Sequence, residues 1–252
     1  MNRFFILILI SMCSYIQKID IGEYVIDINS KQVDCELRIG SDFTYEICLG
    51  FHETDDIVYS AVLSCGHYST ANEQLILHDD YYDFDWDIHI KSNVISVGRG
   101  YAFLDGKRVQ EYHSENVEVS PPDKNFLSRN KVLIDSFIAQ QDNPQLVVGR
   151  YKDQNHRYTI VLEDGGRYLM HLKDVLLLEG VWSQQDNNVV LHDDRLNRDF
   201  TMAIGNEKLL SLGIPGEFGG TMFTLIKAKT SNSQHETKTP SKNRHGGCSR
   251  IK

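Results

Sequence analysis

The residues of this chain whose types could do chemistry lie in one motif that occurs twice. It reads Leu-Ile-Leu-His-Asp-Asp in the first copy and Val-Val-Leu-His-Asp-Asp in the second. Imidazole and carboxylate groups bind metal ions, so His78 with Asp79, and His192 with Asp193, are candidate metal or polar-ligand sites. Each pair supplies two ligands at most, and no third ligand has convincing spacing. A strand that ends in a polar turn explains the same residues, and we adopt that interpretation.

The sequence gives no positive indication of an enzyme. It contains no Gly-x-Ser-x-Gly elbow, no phosphate-binding glycine loop and no His-Glu-x-x-His motif. Paired acids occur at 79–80, 83–87 and 193–194, so a carboxylate-dependent hydrolase is an alternative function. Acids beside turns are ordinary surface residues. We therefore predict no catalytic residue and no cofactor.

The motif belongs to a longer internal repeat. Gly66 and Gly180, like His78 and His192, are 114 residues apart, and a Gly-x-aromatic-Ser sequence begins at each glycine. Downstream of the motif, the two copies stay aligned as far as Ile90 and Ile204. A shift of one residue then aligns a second shared glycine, Gly98 with Gly213. Repeats of this length indicate a duplicated domain, because the units of a solenoid are shorter.

Each copy contains runs of alternating apolar residues that predict strands. The clearest is 84–90, with apolar side chains on one face (Phe84, Trp86, Ile88 and Ile90) and polar side chains on the other (Asp85, Asp87 and His89). We predict an all-β protein: two tandem small antiparallel β-barrel units of lipocalin-like character, at 22–110 and 147–227. A linker, 111–146, joins them and contains one short amphipathic helix at about 123–140.

The first predicted hairpin bears on the cysteines. Its apolar pattern places Leu37 opposite Tyr45, and therefore Cys35 opposite Ile47. Cys48 then points to the other face of the sheet, so a Cys35–Cys48 disulfide is disfavoured.

The N-terminus reads as an export signal over residues 1–14. A positive Asn2-Arg3 pair precedes an uncharged apolar run that ends at Met12, too short to span a bilayer. Cys13 is a candidate lipidation site, although Met12 replaces the small residue expected there. Cleavage without lipidation and a buried first strand are the alternatives. Export places the protein in the periplasm, or tethers it to the bacterial cell envelope through an N-terminal lipid.

Charge and composition limit the range of partners. The net charge is −9, which argues against nucleic acid, since a binder of nucleic acid shows a basic face. The basic tail, 228–252, is predicted to be disordered.

Two aromatic pairs occupy equivalent positions of the repeat: Tyr68 with Trp182, and Trp86 with Phe200. Small barrels can hold an apolar or amphipathic ligand in their mouths, so these four residues are candidate ligand contacts. Filling the core is the alternative role. We predict a non-catalytic cell-envelope binding protein for such a ligand or for an envelope partner, with a purely structural or protein-interaction module as the alternative.

The second unit resembles a family of small barrel domains in bacterial envelope lipoproteins, typified by the N-terminal domain of the copper-resistance and envelope-stress lipoprotein. The shared residues are Gly149-x-Tyr151, an Asp-Gly-x-Tyr turn at 164–168 with one extra glycine, Gly180-x-Trp182, and a short apolar strand that ends at Leu191. The resemblance implies a lipocalin-like barrel and an envelope location. That family carries a Cys-x-x-Cys motif, which neither unit contains, so copper or redox chemistry is not implied.

Overall fold

The protein is known from a computed structural model. It describes residues 21–54, 57–71, 74–91, 94–105, 109–112, 119, 125–141, 144–146, 148–214 and 222–228. The predicted export signal with Cys13, and all of the predicted tail except Ala228, lie outside the described residues.

The first unit is an antiparallel sheet of eight strands. The strands are Gly22–Ile26 (β1), Asp34–Ile39 (β2), Thr44–Thr54 (β3), Ile57–Ala71 (β4), Gln74–Asp79 (β5), Phe84–Lys91 (β6), Val94–Arg99 (β7) and Val109–Tyr112 (β8). Their order is β7-β6-β5-β4-β3-β2-β1-β8. This sheet is a half-barrel, whose two edges are β7 and β8. A 3₁₀ turn, Ala102–Leu104, lies between those edge strands in the sequence.

The second unit is a closed barrel of eight strands. The strands are Gly149–Asp153 (β9), Tyr158–Leu162 (β10), Arg167–Leu172 (β11), Val175–Gln185 (β12), Asn188–Asp193 (β13), Arg198–Gly205 (β14), Lys208–Leu212 (β15) and Thr224–Lys227 (β16). Strand β16 pairs with both β15 and β9 and so closes the ring. The all-β prediction with barrel character is confirmed, although among the described strands only those of the second unit close into a ring.

Alternation along the strands builds both cores. In β6 the side chains of Phe84, Trp86 and Ile88 are buried, whereas Asp85 and His89 are exposed. The same pattern fills the second barrel, where the largest inward side chains are tyrosines at 151, 158 and 168. A barrel of eight strands is just wide enough for its side chains to fill it.

The first hairpin has a different register from the one predicted. Leu37 pairs with Ile47, not with Tyr45, and Cys35 pairs with Leu49. The turn is longer because Phe43 adopts a left-handed conformation with φ of 65°. Cys35 and Cys48 still point to opposite faces, and both are free thiols.

Both units carry a β-bulge at the same place. In β4 the register against β3 shifts at Leu63, and in β12 the register against β11 shifts at Leu177, its equivalent in the repeat. The first unit has a further irregularity in the β6–β7 pairing, where the register shifts between Asp87 and Ile88. Bulges bend the strand and increase its twist, so they help to curve each sheet.

The linker is helical over Phe126–Arg129 (α1) and Lys131–Ala139 (α2). A non-helical Asn130 separates the two segments. Helix α2 touches the turn after β14: the ring of Phe137 lies against Gly205, and the Gln141 side chain accepts a hydrogen bond from the Asn206 amide at 2.7 Å.

Candidate functional site: the repeated turns and the exposed linker helix

The first copy of the motif forms a tight turn around a buried carboxylate. One oxygen of Asp79 accepts hydrogen bonds from the backbone amides of Tyr81 and Tyr82, at 3.0 and 2.7 Å. The other oxygen accepts a hydrogen bond from the Ser64 hydroxyl. An Asp side chain that bonds to amides two and three residues later fixes the chain reversal after a strand.

The second copy repeats this geometry. One oxygen of Asp193 accepts from the amides of Arg195 and Leu196, at 3.0 and 2.7 Å, and the other accepts from the amide of Glu179 at 3.0 Å. Both carboxylates therefore use their oxygens to hold the fold.

The glycine that begins each Gly-x-aromatic-Ser sequence belongs to the same arrangement. Gly66 pairs with Asp79, and Gly180 pairs with Asp193. A Cβ atom on Gly66 would collide with the carbonyl oxygen of His78, and one on Gly180 would collide with that of His192. The turn leaves no room for a side chain on the facing residue, which must therefore be glycine. The repeated glycine and the repeated His-Asp-Asp sequence thus form one structural unit.

The histidines of the motif point to the outer face, away from the buried aspartates. His78 pairs with Asp85 across β5 and β6 at 2.9 Å, and His192 pairs with Asp199 at 2.8 Å. Neighbouring residues of a strand point to opposite faces, so the His and Asp of each motif do not converge on one ion. Among the residues that the structure describes, no group of three or more His, Cys, Asp or Glu is arranged to hold a metal.

Burial dominates the electrostatics of the two turns. Removal from water raises the pKa of Asp79 above its usual range, and the hydrogen bonds from Ser64 and the backbone offset part of that rise. The pKa of Asp193 is raised for the same reason. Burial also raises the pKa of the Cys65 thiol to about 12, which leaves it protonated and unreactive at neutral pH.

The four candidate ligand contacts divide into two kinds. Trp86 and Phe200 are core residues with almost no exposed surface. Tyr68 and Trp182 are half-buried and lie beside equivalent hairpins, where the Tyr68 hydroxyl donates to the Gly40 carbonyl and the Trp182 indole donates to the Glu163 carbonyl. The structure thus brings neither aromatic pair together in one cavity, and their role in ligand binding remains a prediction.

One polar network distinguishes the interiors. In the first unit the Tyr45 hydroxyl bonds to Ser64 at 2.7 Å, and Ser64 donates to Asp79. In the second unit Tyr168 takes the place of Tyr45 and Leu178 takes the place of Ser64. The buried Tyr168 hydroxyl has no hydrogen-bond partner within the described part of the chain.

The turns also join the two units. Arg195 donates to the carbonyls of Gly100 and Val97, at 2.9 and 3.0 Å, at the end of edge strand β7. In the reciprocal contact the Tyr82 hydroxyl donates to the carbonyl of Gly213, just after β15, at 3.3 Å. Each motif therefore contacts the end of the seventh strand of the other unit.

The surface feature that stands out is the linker helix. Six of the nine residues of α2 are apolar, yet none of the nine is buried. Val132 is 80% exposed and Leu133 is 52% exposed, and Leu127 in α1 is also exposed. The apolar side chains of a helix normally pack against the rest of a folded protein. Within the described part of the chain nothing packs over these side chains, so they form an exposed apolar surface. Sequence periodicity identified the helix but could not tell which of its sides would be packed.

Comparison with known proteins adds little. No protein-family model and no curated protein matches the chain. Among solved structures, the crystal structure of the Cpx pathway activator NlpE from Escherichia coli is similar at a TM-score of 0.23 with 11% sequence identity. That similarity covers 73% of this chain and 91% of that chain. A TM-score of this size carries no argument about shared fold or function. The barrel that the sequence resemblance implied for the second unit is present, and the family itself remains a prediction.

Membrane spanning by a helix is a separate question. Within the described ranges, no helix is both long enough and apolar enough to cross a bilayer.

Proposed function

We propose that this chain is a non-catalytic binding protein of the bacterial cell envelope, and that its partner is a protein docked on α1 and α2. The observation that carries the proposal is the exposure of the apolar residues of α2. Exposed apolar patches on a folded protein commonly mark interaction surfaces. The envelope location rests on the sequence of residues 1–14, as an expectation.

The contacts of the helix favour a protein partner over a lipid surface. Residues 126–139 contain two cations, Arg129 and Lys131, and Lys131 is already paired with Asp135 at 2.9 Å. Helices that lie on membranes usually carry a polar face that is rich in Lys and Arg. A helix whose apolar residues are flanked by a neutralised ion pair fits a hydrophobic groove on another protein.

The interiors support the same choice over a small ligand. The inward side chains of the second barrel are large and have almost no exposed surface, as Tyr158, Met170 and Leu191 illustrate. A ligand in that barrel would have to displace them. Binding of a small amphipathic ligand is the second candidate function. The ligand would contact the half-buried Tyr68 or Trp182 at the hairpin ends.

Site-specific photo-cross-linking tests the proposal. Val132 is replaced by benzoylphenylalanine, and the variant is irradiated in intact bacterial cells. The matched control carries the same residue at Val181, which is exposed on the outer face of β12. We expect one discrete protein adduct from position 132 that disappears with Leu133→Asp, and none from position 181.

Two results would contradict the proposal. One is the absence of a discrete adduct at position 132. The other is an adduct that persists in Leu133→Asp, because a partner held by the apolar face cannot tolerate a carboxylate there. Leu133 is about half exposed, so the substitution itself leaves the fold intact.

A further inference from the structure

The hairpins β2–β3 and β10–β11 have the same backbone but different residues at one position. Phe43 and Gly166 are equivalent: each has a left-handed conformation, with φ of 65° and 75°. The Phe43 carbonyl accepts from the Tyr68 amide and the Gly166 carbonyl accepts from the Trp182 amide, both at 2.8 Å. The chain therefore contains its own comparison between phenylalanine and glycine at one site.

Phenylalanine is an unfavourable choice for that conformation. A side chain in the left-handed region brings Cβ close to the backbone, and only glycine avoids the clash fully. The other non-glycine residues with positive φ in the described ranges are all polar, namely Asn29, Asp83, His156, Lys173, Asp186, Asn197 and Glu207. Phe43 is also 65% exposed, so it recovers little energy from burial. Strain held at an exposed position indicates a role outside the fold.

The surroundings of Phe43 indicate what would bind there. Its ring lies 5.7 Å from that of Tyr68, so two aromatic faces meet at the surface. Asp42 is exposed next to them, and Asp80 pairs with His67 at 2.9 Å on the neighbouring strand end. Neither 39–45 nor 64–70 contains Lys or Arg. The aromatic faces and the exposed Asp42 carboxylate attract positive charge, whereas Asp80 is already engaged by His67.

We propose that Phe43, Tyr68 and Asp42 form a recognition site for an arginine or lysine side chain of a basic peptide segment. The cation lies over the two rings and its charge is balanced by Asp42. This site is on the first unit and is independent of the partner proposed for α2. The strained backbone holds the Phe43 ring outward, where a partner can reach it.

The test uses a fluorescein-labelled peptide of alternating glycine and arginine, with binding followed by fluorescence anisotropy at low and physiological salt. Phe43→Gly copies the residue of the second unit, so it keeps the turn and removes the ring. We expect affinity to fall by about fivefold, the loss of one exposed cation–π contact. Thermal stability should stay the same or rise, because the strain is relieved.

Matched controls separate this site from the general negative charge of the protein. Ile226→Ala removes another exposed apolar side chain and should leave peptide affinity unchanged. Asp42→Asn should weaken binding more than Asp164→Asn, which removes a charge from the equivalent turn of the second unit. The proposal is overturned if Phe43→Gly binds as tightly as the native protein, if the two Asp variants behave alike, or if the native protein does not bind the peptide at low salt.

Discussion

The two halves of this molecule share one plan, yet in the part that the structure describes only the second half closes its own barrel. Both contain the bulge at Leu63 or Leu177, and the buried aspartate turn after the fifth strand. In the second unit β16 completes the ring, whereas in the first unit β7 and β8 remain as edges. The edge at β7 is instead capped by groups from outside the sheet.

That difference shows how a duplication can let one half depend on the other. The Val97 amide donates to Asp105 at 3.2 Å, and the Val97 carbonyl accepts from Arg195 of the second unit. Arg195 and Asp105 also form an ion pair at 3.5 Å. These contacts satisfy edge groups that would otherwise template association with another strand.

The largest effect should come from the glycines that accommodate the turns. Gly180→Ala places a methyl group against the carbonyl of His192, and Gly66→Ala does the same at His78. We expect each to lower the free energy of unfolding by about 3 kcal/mol, as overpacking against backbone does. Chemical denaturation measures the loss. Gly165→Ala is the control, since a Cβ atom there has nothing within 4 Å. A much smaller loss of stability at either glycine would show that the facing His-Asp-Asp turn does not require a residue without a side chain there.

Removal of the cap on β7 should have the next largest effect. Arg195→Met keeps most of the side chain but removes the donors to Val97 and Gly100, and we expect a loss of about 2 kcal/mol. Hydrogen exchange should accelerate at the Val97 amide and stay unchanged at the Ser211 amide, its equivalent in the second unit, which donates to the Phe223 carbonyl at 3.1 Å. Equal acceleration at both amides would mean that the first unit does not depend on the second in this local way.

The two buried tyrosines sharpen the comparison of the interiors. Tyr45→Phe removes a bonded hydroxyl and should cost about 1 kcal/mol, whereas Tyr168→Phe removes a hydroxyl without a partner in the described chain and should cost about nothing. Urea denaturation of both variants decides between these outcomes. An equal loss would show that the Tyr168 hydroxyl is satisfied by an ordered water.

The smallest effect concerns the pH dependence of the turns. Because burial raises the pKa of Asp79, the folded protein binds this proton more readily than the unfolded chain does. The carboxylate therefore destabilises the fold above its raised pKa, and this penalty disappears as the pH falls towards its unfolded value, near 3.8.

Comparison with Asp79→Asn isolates that contribution. We expect the unfolding free energy of the native protein, relative to the variant, to increase between neutral pH and about pH 4. Asp193→Asn should show the same sign, because the pKa of Asp193 is raised by the same cause. A relative stability that decreases with acidification would reverse the sign assigned to burial.

Much of the architecture followed from local sequence patterns. Alternation at Phe84, Trp86 and Ile88 placed the β6 strand, and the repeated glycines at 66 and 180 indicated the duplication. These features depend on period and spacing, which the sequence displays directly.

The remainder depended on contacts between distant residues. The turn at Phe43 was longer than the apolar pattern indicated, because a phenylalanine in a left-handed conformation has no sequence signature. Arg195 reaches β7 only after both units have folded, and the exposure of Val132 depends on how the helix docks. The burial of Asp79 likewise separates it from His78, although the two are adjacent in the motif.

Native mass spectrometry of the protein, gently extracted from the cells that produce it, tests the central claim most directly. If α2 is a protein-binding surface, the native spectrum should show the intact chain with one added protein mass. That mass should be lost in the Val132→Asp/Leu133→Asp variant, and Val181→Asp should retain it. A small-molecule adduct that survives in the α2 variant, with no added protein mass, would contradict the claim and place the function at the barrels.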